Sequence, residues 1–140
     1  MPQASWNANA RGEYWIEVNL AGQAFQVLID TGLIDARGQI GFSVDESVYD
    51  SIKSAGGFQN HQLHTRLTAD GQVSLTESGS LDAQLICPKT RALIGPAVNL
   101  YVFRGASGVP KRVGLAFFHQ LKGCKILWEL DQRLWTIEYP

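Results

Sequence analysis

One aspartate in this sequence stands where a carboxylate could do chemistry. Asp30 closes the apolar run Phe25–Ile29, and Thr31 and Gly32 follow it. Glycine allows the backbone to turn sharply after a strand, so the carboxylate would be held at the end of a buried element. Two such carboxylates that share one proton can activate a water molecule for hydrolysis. Because the Asp-Thr-Gly tripeptide occurs once, either two copies of the chain share a site or Asp30 only ends a strand and caps a turn.

The composition limits the class of protein. The chain has 140 residues, of which 45 % are hydrophobic and 18 % are charged, as expected for one globular domain that buries its own core. The formal net charge is −1 and the basic residues are scattered, so we expect neither nucleic acid nor a membrane surface as a partner. We see no spanning segment and no export signal in the polar residues 1–11, which favours a cytoplasmic protein.

The histidines do not have the spacing of a metal site. His61 and His64 lie three residues apart without further ligands, and His119 is alone. A structural or catalytic zinc site needs three or four ligands from the protein. The sequence therefore predicts no metal and no cofactor, and it leaves the chemistry to carboxylates.

Short strands separated by turns dominate the predicted secondary structure. Residues 14–20 and 23–30 form a hairpin, and Asp45 or Ser47 caps a short helix. A second hairpin turns at Asp70-Gly71, because both residues tolerate a positive φ. Further segments are a short helix at 115–121 and strands at 81–87, 97–103, 124–130 and 134–139. The pattern is typical of an all-β fold with one or two short helices.

The order of these elements resembles that of the single-domain retropepsin-like (clan AA) aspartic proteases, and within them a prokaryotic group of small uncharacterised proteins. Four stretches in the right order carry the resemblance: Val27–Gly32, the strand Phe42–Val44 before a helix, the hairpin Leu67–Gly71, and Arg112–Phe118. The resemblance implies a closed retropepsin-like acid-protease barrel of a single lobe. It assigns residues 12–140 to this domain and residues 1–11 to a flexible N-terminal arm.

The same resemblance implies an activity and its catalytic residues. The chain would be an aspartic endopeptidase in which two copies of Asp30, one from each subunit of a homodimer, activate the attacking water. Thr31 would hydrogen-bond across the dimer, and Gly32 would let the backbone approach the carboxylates. Trp135, near the C-terminus, could lie in a sheet between the subunits.

The substrate would be a peptide or an unfolded protein in an extended conformation. By resemblance, Asp35 would contact the substrate backbone, and the hairpin tip at Asp70 and Gly71 would form a flap over the cleft. By residue type alone, the Asp-Gly pair is more often an ordinary hairpin tip than a functional flap.

Two residues depart from the family pattern. Leu33 stands where the family usually has Ala or Ser, and Arg112 stands where it has an apolar residue two positions before Gly114. These departures favour an alternative, in which the chain is a catalytically silent retropepsin-like module for dimerisation or peptide binding. A third hypothesis is an unrelated small β-barrel that binds a ligand, with the tripeptide a coincidence.

Overall fold

Ten strands and two short helices make up the described part of the chain, which is residues 2–33, 38–67 and 70–140 of the computed structural model. The strands are β1 (Gln3–Asn7), β2 (Trp15–Leu20), β3 (Gln23–Ile29), β4 (Ile40–Val44), β5 (Asn60–Leu67), β6 (Val73–Ile86), β7 (Leu93–Arg104), β8 (Arg112–Val113), β9 (Lys125–Glu129) and β10 (Leu134–Glu138). The helices are α1 (Glu46–Ser54) and α2 (Leu115–His119).

Six strands close into a ring in the order β2, β3, β8, β4, β7 and β6, because β6 also pairs with β2, and β5 extends the sheet beyond β6. Successive side chains of a strand point to opposite faces, and β2 follows this rule with Ile16, Val18 and Leu20 fully buried. A second sheet has the order β1, β10, β9. The predicted mainly-β fold with one or two short helices is therefore confirmed, with two helices present in the described residues.

The hairpin that leads to Asp30 forms as predicted. Strands β2 and β3 pair in antiparallel from Trp15 opposite Leu28 to Leu20 opposite Gln23. The two turn residues both have positive φ, 52° at Ala21 and 86° at Gly22. Such a turn matches the right-handed twist of the two strands, so local turn chemistry fixes where β3 begins and its register against β2.

Helix α1 begins where the sequence predicts. Asp45 is the N-cap, and its Oδ1 accepts a hydrogen bond from the backbone N of Val48 at 3.3 Å. Tyr49 and Ile52 form the buried face of the helix. Among the helices of the described residues, none is long and apolar enough to cross a membrane.

Strand β6 differs from the sequence-based prediction, in which residues 72–76 form one arm of the Asp70-Gly71 hairpin and residues 81–87 form a separate strand. It is continuous from Val73 to Ile86, and it passes through Gly79, whose neighbouring serines resemble a turn sequence. A Cβ added at Gly79 would lie 2.4 Å from Cγ of Phe58. Gly79 therefore makes room for an aromatic ring rather than for a turn.

Part of the segment that was expected to be a flexible arm forms a strand. Gln3–Asn7 forms β1, which pairs in antiparallel with β10. Trp6 is 8 % exposed, and its ring centroid lies 5.2 Å from that of Trp135. Apolar burial against the C-terminal sheet thus orders a segment that has no periodic pattern of its own.

Candidate active site

The backbone of Asp30 is held by the short strand β8, which lies between β3 and β4. Strand β8 is parallel to β3, with Ile29 opposite Val113, and antiparallel to β4, with Phe42 opposite Val113. The N–H of Asp30 donates to the carbonyl of Val113 at 2.9 Å. Because β8 is paired on both sides, the end of β3 has a fixed position in the ring.

The loop after Asp30 orients its carboxylate. The N–H of Gly32 donates to Asp30 Oδ1 at 2.9 Å, and the N–H of Leu33 donates to the carbonyl of Asp30 at 3.1 Å. A Cβ at Gly32 would lie 3.2 Å from the same Oδ1, so glycine permits this close approach. The Asp30 side chain is 33 % exposed. A carboxylate with one oxygen held by the backbone thus remains accessible from solvent.

Thr31 lies at the exposed end of this turn. Within the described residues its hydroxyl has no hydrogen-bond partner in the protomer. The structure therefore leaves the Thr31 hydroxyl available, and its contact across a dimer stays a prediction.

Leu33 is accommodated by the absence of a side chain at Gly114. A Cβ at Gly114 would lie 2.3 Å from the carbonyl oxygen of Leu33 and 3.2 Å from its Cβ and Cγ. The N–H of Gly114 also donates to the carbonyl of Gly41 at 2.8 Å. Leu33 thus packs on the junction of β8 and α2, and the Asp30 turn closes with the larger residue in place.

Arg112 is the residue of this region to which the sequence assigned no role. Its Nε lies 3.6 Å from Asp30 Oδ2. This Nε is buried and has no hydrogen-bond partner in the described part of the protomer. The signal in the sequence was the charge itself, because Arg112 stands two residues before Gly114, where an apolar residue is expected. Among the described residues, the chemical groups that come together here are therefore the Asp30 carboxylate and the Arg112 guanidinium.

Of the three residues predicted to bind substrate, one lies outside the described residues and two lie on a different element from the Asp30 loop. Asp35 is outside the described residues. Asp70 and Gly71 lie at the exposed tip of the β5–β6 hairpin, where Gly71 has a φ of 83° and Asp70 Oδ1 accepts from the N–H of Gln72 at 3.4 Å. The tip belongs to a different element from the Asp30 loop, and its contact with substrate stays a prediction.

Comparison with known proteins gives a structural match but no sequence match. No family model matches the sequence, and no curated protein sequence matches it. The structure is similar to that of a retropepsin-like aspartic protease from Rickettsia conorii, with a TM-score of 0.61 and 16 % sequence identity. The similarity covers 99 % of this chain and 91 % of that one, which argues against an unrelated β-barrel. Over nearly its whole length, the chain has the retropepsin-like aspartic protease fold.

Proposed function

We propose that the protein is a homodimeric aspartic endopeptidase in which the two Asp30 carboxylates form the catalytic pair. One observation carries the proposal. Within a retropepsin-like fold, Asp30 ends strand β3 with its Oδ1 bound to the N–H of Gly32 and its side chain partly exposed. A single chain supplies one such carboxylate, so the proposed site forms only between two subunits related by a two-fold axis.

The proposed chemistry follows from the closeness of two carboxylates. Ionising both at once is unfavourable because the two negative charges repel, so the carboxylates share one proton and titrate as a pair. The ionised Asp30 takes a proton from the bound water as its oxygen attacks the peptide carbonyl carbon. The protonated Asp30 of the other subunit donates to the carbonyl oxygen. The C–N bond then breaks, the amine leaves with a proton, and no covalent intermediate with the enzyme forms.

The edge strand β9 supports dimerisation. Its side chains of Ile126, Leu127 and Trp128 are 37 %, 48 % and 39 % exposed, and exposed apolar edge strands are prone to pair with another chain. Antiparallel pairing of two β9 strands about Leu127 would place Lys125 opposite Glu129 of the partner subunit. In this pairing strand β9 is self-complementary in charge, and its exposed apolar side chains are covered.

Trp128, rather than the expected Trp135, is the tryptophan available for such an interface. Trp135 is 1 % exposed and packs within the protomer against Trp6 and Phe118. Trp128, on β9, is the exposed one. We therefore assign the proposed interface to β9 rather than to the Trp135 side chain.

The proposed substrate is an extended peptide or unfolded protein. It would lie between the Asp30 loop and the tip of the β5–β6 hairpin and would be held by main-chain hydrogen bonds. In this arrangement Asp35, Asp70 and Gly71 contact the substrate backbone.

Cleavage of a diverse peptide library, read by mass spectrometry between about pH 3 and about pH 7, tests the proposal. Asp30→Asn should lower cleavage by at least about 1,000-fold, because the variant lacks the ionisable pair. Asp131→Asn is the matched control, since it makes the same change at an exposed turn. Light scattering should show a dimer for all three proteins. A strict monomer at high concentration, or cleavage unaffected by Asp30→Asn, would contradict the proposal.

A second candidate function is favoured by Arg112. A guanidinium 3.6 Å from Asp30 Oδ2 can offset the negative charge of the carboxylate on which the chemistry depends. In that case the chain is a catalytically silent module that dimerises and binds peptides. A dimer that cleaves no peptide at any pH would support this function over the endopeptidase.

A further inference from the structure

Arg112 has an unusual set of surroundings for an arginine inside a fold. An arginine carries five N–H donors in a planar fork. Among the described residues, none of the five makes a hydrogen bond, and the single ion-pair contact is the 3.6 Å approach of Nε to Asp30 Oδ2. The side chain is nevertheless 41 % exposed. Because Nε itself is buried, the exposed surface belongs to other atoms of the side chain.

The position of Arg112 is fixed by its strand. On β8, Arg112 pairs with Leu28 of β3 on one side and with Ser43 of β4 on the other. The carbonyl of the preceding Lys111 accepts from the N–H of Leu28 at 2.8 Å. Both neighbouring strands therefore hold the Cα of Arg112 next to the end of β3, where Asp30 lies. The root of the Arg112 side chain is therefore fixed beside the Asp30 loop.

A guanidinium with unused donors binds a planar anion well. Charge-assisted hydrogen bonds to a carboxylate are about twice as strong as neutral ones, and the fork can donate two in parallel. Asp30 does not fill this role in the protomer, because its Oδ1 accepts from Gly32 and its Oδ2 lies beyond hydrogen-bond distance from Arg112.

We propose that Arg112 is a specificity residue that binds a carboxylate of the peptide next to the scissile bond. The inference rests on the proposed function, since it places the peptide over Asp30. In a two-fold dimer one Arg112 lies on each side of the bond, so acidic residues are favoured on both sides. The carboxylate can come from a Glu or Asp side chain or from the new C-terminus that cleavage creates.

Matched peptides that differ only by Glu or Gln beside the scissile bond test the side-chain source. For the wild-type protein, kcat/KM should be roughly tenfold or more higher for the Glu peptide, the size of one charge-assisted hydrogen bond. Arg112→Leu should abolish this preference, and Arg112→Glu should shift it to Lys peptides. Lys111→Leu is the matched control, because it removes the same charge from the neighbouring position and should keep the preference.

The C-terminal source is tested by product inhibition. A product peptide that ends in a free carboxylate should inhibit more strongly than its amide, and Arg112→Leu should remove the difference. Wild-type cleavage with neither a Glu preference nor a carboxylate-dependent inhibition overturns the inference while leaving the endopeptidase intact. So does a preference that survives Arg112→Leu.

A binding measurement separates failure of the inference from failure of the proposed function. If the wild-type protein cleaves no peptide, titration calorimetry with the same Glu and Gln peptides decides the role of Arg112. Tighter binding of the Glu peptide that is lost in Arg112→Leu supports the inference in a non-catalytic module. Equal or undetectable binding of both peptides overturns it.

Discussion

Two aspartate–arginine pairs in this protein use the same chemical groups in opposite ways. In the first, Arg104 donates from Nε to Asp50 Oδ1 and from Nη2 to Oδ2, both at 3.1 Å. In the second, Arg112 comes no closer to Asp30 than 3.6 Å and makes no hydrogen bond among the described residues. In the closed bidentate pair, these donors and acceptors already bind each other within the protomer. The open pair keeps them available for other molecules.

The surroundings of the closed pair show that it belongs to a structural cluster. Glu77 lies 3.5 Å from Arg104 and 3.3 Å from Lys53, and it also contacts His61. Hydrogen bonding by His61 and then Lys53 lowers the pKa of Glu77, and hydrogen bonding to Arg104 lowers the pKa of Asp50. These residues come from α1, β5, β6 and β7. The cluster therefore ties the base of the β5–β6 hairpin to the helix.

Of the changes that test this comparison, Gly114→Ala should have the largest effect, and it acts on the loop that carries Asp30. The added Cβ would lie 2.3 Å from the backbone oxygen of Leu33, and backbone cannot move aside as a flexible side chain can. We expect a loss of roughly 3 kcal/mol of unfolding free energy in denaturant titrations. Gly32→Ala is the control, because its Cβ meets only Asp30 Oδ1, at 3.2 Å. Equal stability of the two variants would show that the loop is not held by this contact.

Arg104→Leu and Arg112→Leu compare the two pairs directly. Arg104→Leu removes the bidentate partner of Asp50 and one of the cations beside Glu77, so the unfolding temperature should fall. Arg112→Leu removes a buried donor that has no hydrogen-bond partner among the described residues, so the unfolding temperature should stay the same or rise. Differential scanning calorimetry of both variants at neutral pH measures the difference. A larger loss in Arg112→Leu would show that the open pair stabilises the fold.

Glu77→Gln should remove a part of the protein's stability that depends on pH in a predictable direction. The folded state holds the pKa of Glu77 below its ordinary value of 4.5, mainly through the hydrogen bond with His61. The carboxylate therefore contributes stability that is fully present above pH 4.5 and is lost as the pH falls through the lower folded-state pKa. Wild type should unfold at a higher temperature than Glu77→Gln at pH 7, and the gap should narrow in acid. A gap that stays constant between neutral pH and acid would contradict the assignment.

The parts of the fold that the sequence predicted depend on local signals. The turn at Ala21-Gly22, the Asp45 cap of α1 and the glycine after Asp30 each act on neighbouring backbone, so residue type alone indicates the structure. Strand β1 could not be predicted in this way, because it is ordered by packing of Trp6 on Trp135 at the other end of the chain. The same limit applies to the Asp30–Arg112 approach, which depends on β8 lying beside β3.

The continuous strand β6 was missed for a related reason. Ser-Gly-Ser at residues 78–80 is typical of a turn in sequence, yet the structure has Ser78 and Ser80 buried in the sheet. Gly79 is required there by the ring of Phe58. A contact with a residue on another element, rather than backbone preference, decides the conformation at this position.

Tyr49→Phe should give the smallest effect and sharpens the same distinction between closed and open polar groups. The Tyr49 hydroxyl is buried without a hydrogen-bond partner among the described residues, and burial, followed by the charge of Glu77, raises its pKa. Removing a buried, unpaired hydroxyl should leave stability unchanged or raise it by about 1 kcal/mol. In Tyr101, by contrast, the hydroxyl accepts from Gln62 Nε2 at 2.8 Å.

Tyr101→Phe is therefore the matched control for Tyr49→Phe, and it should lose about 1 kcal/mol. Urea unfolding at neutral pH measures both variants under the same conditions. The two variants should change the free energy of unfolding in opposite directions. Tyr101→Phe removes a hydrogen bond, whereas Tyr49→Phe removes a buried hydroxyl that makes none among the described residues. Equal losses would contradict this prediction, because they would mean that the Tyr49 hydroxyl also makes a hydrogen bond in the folded protein.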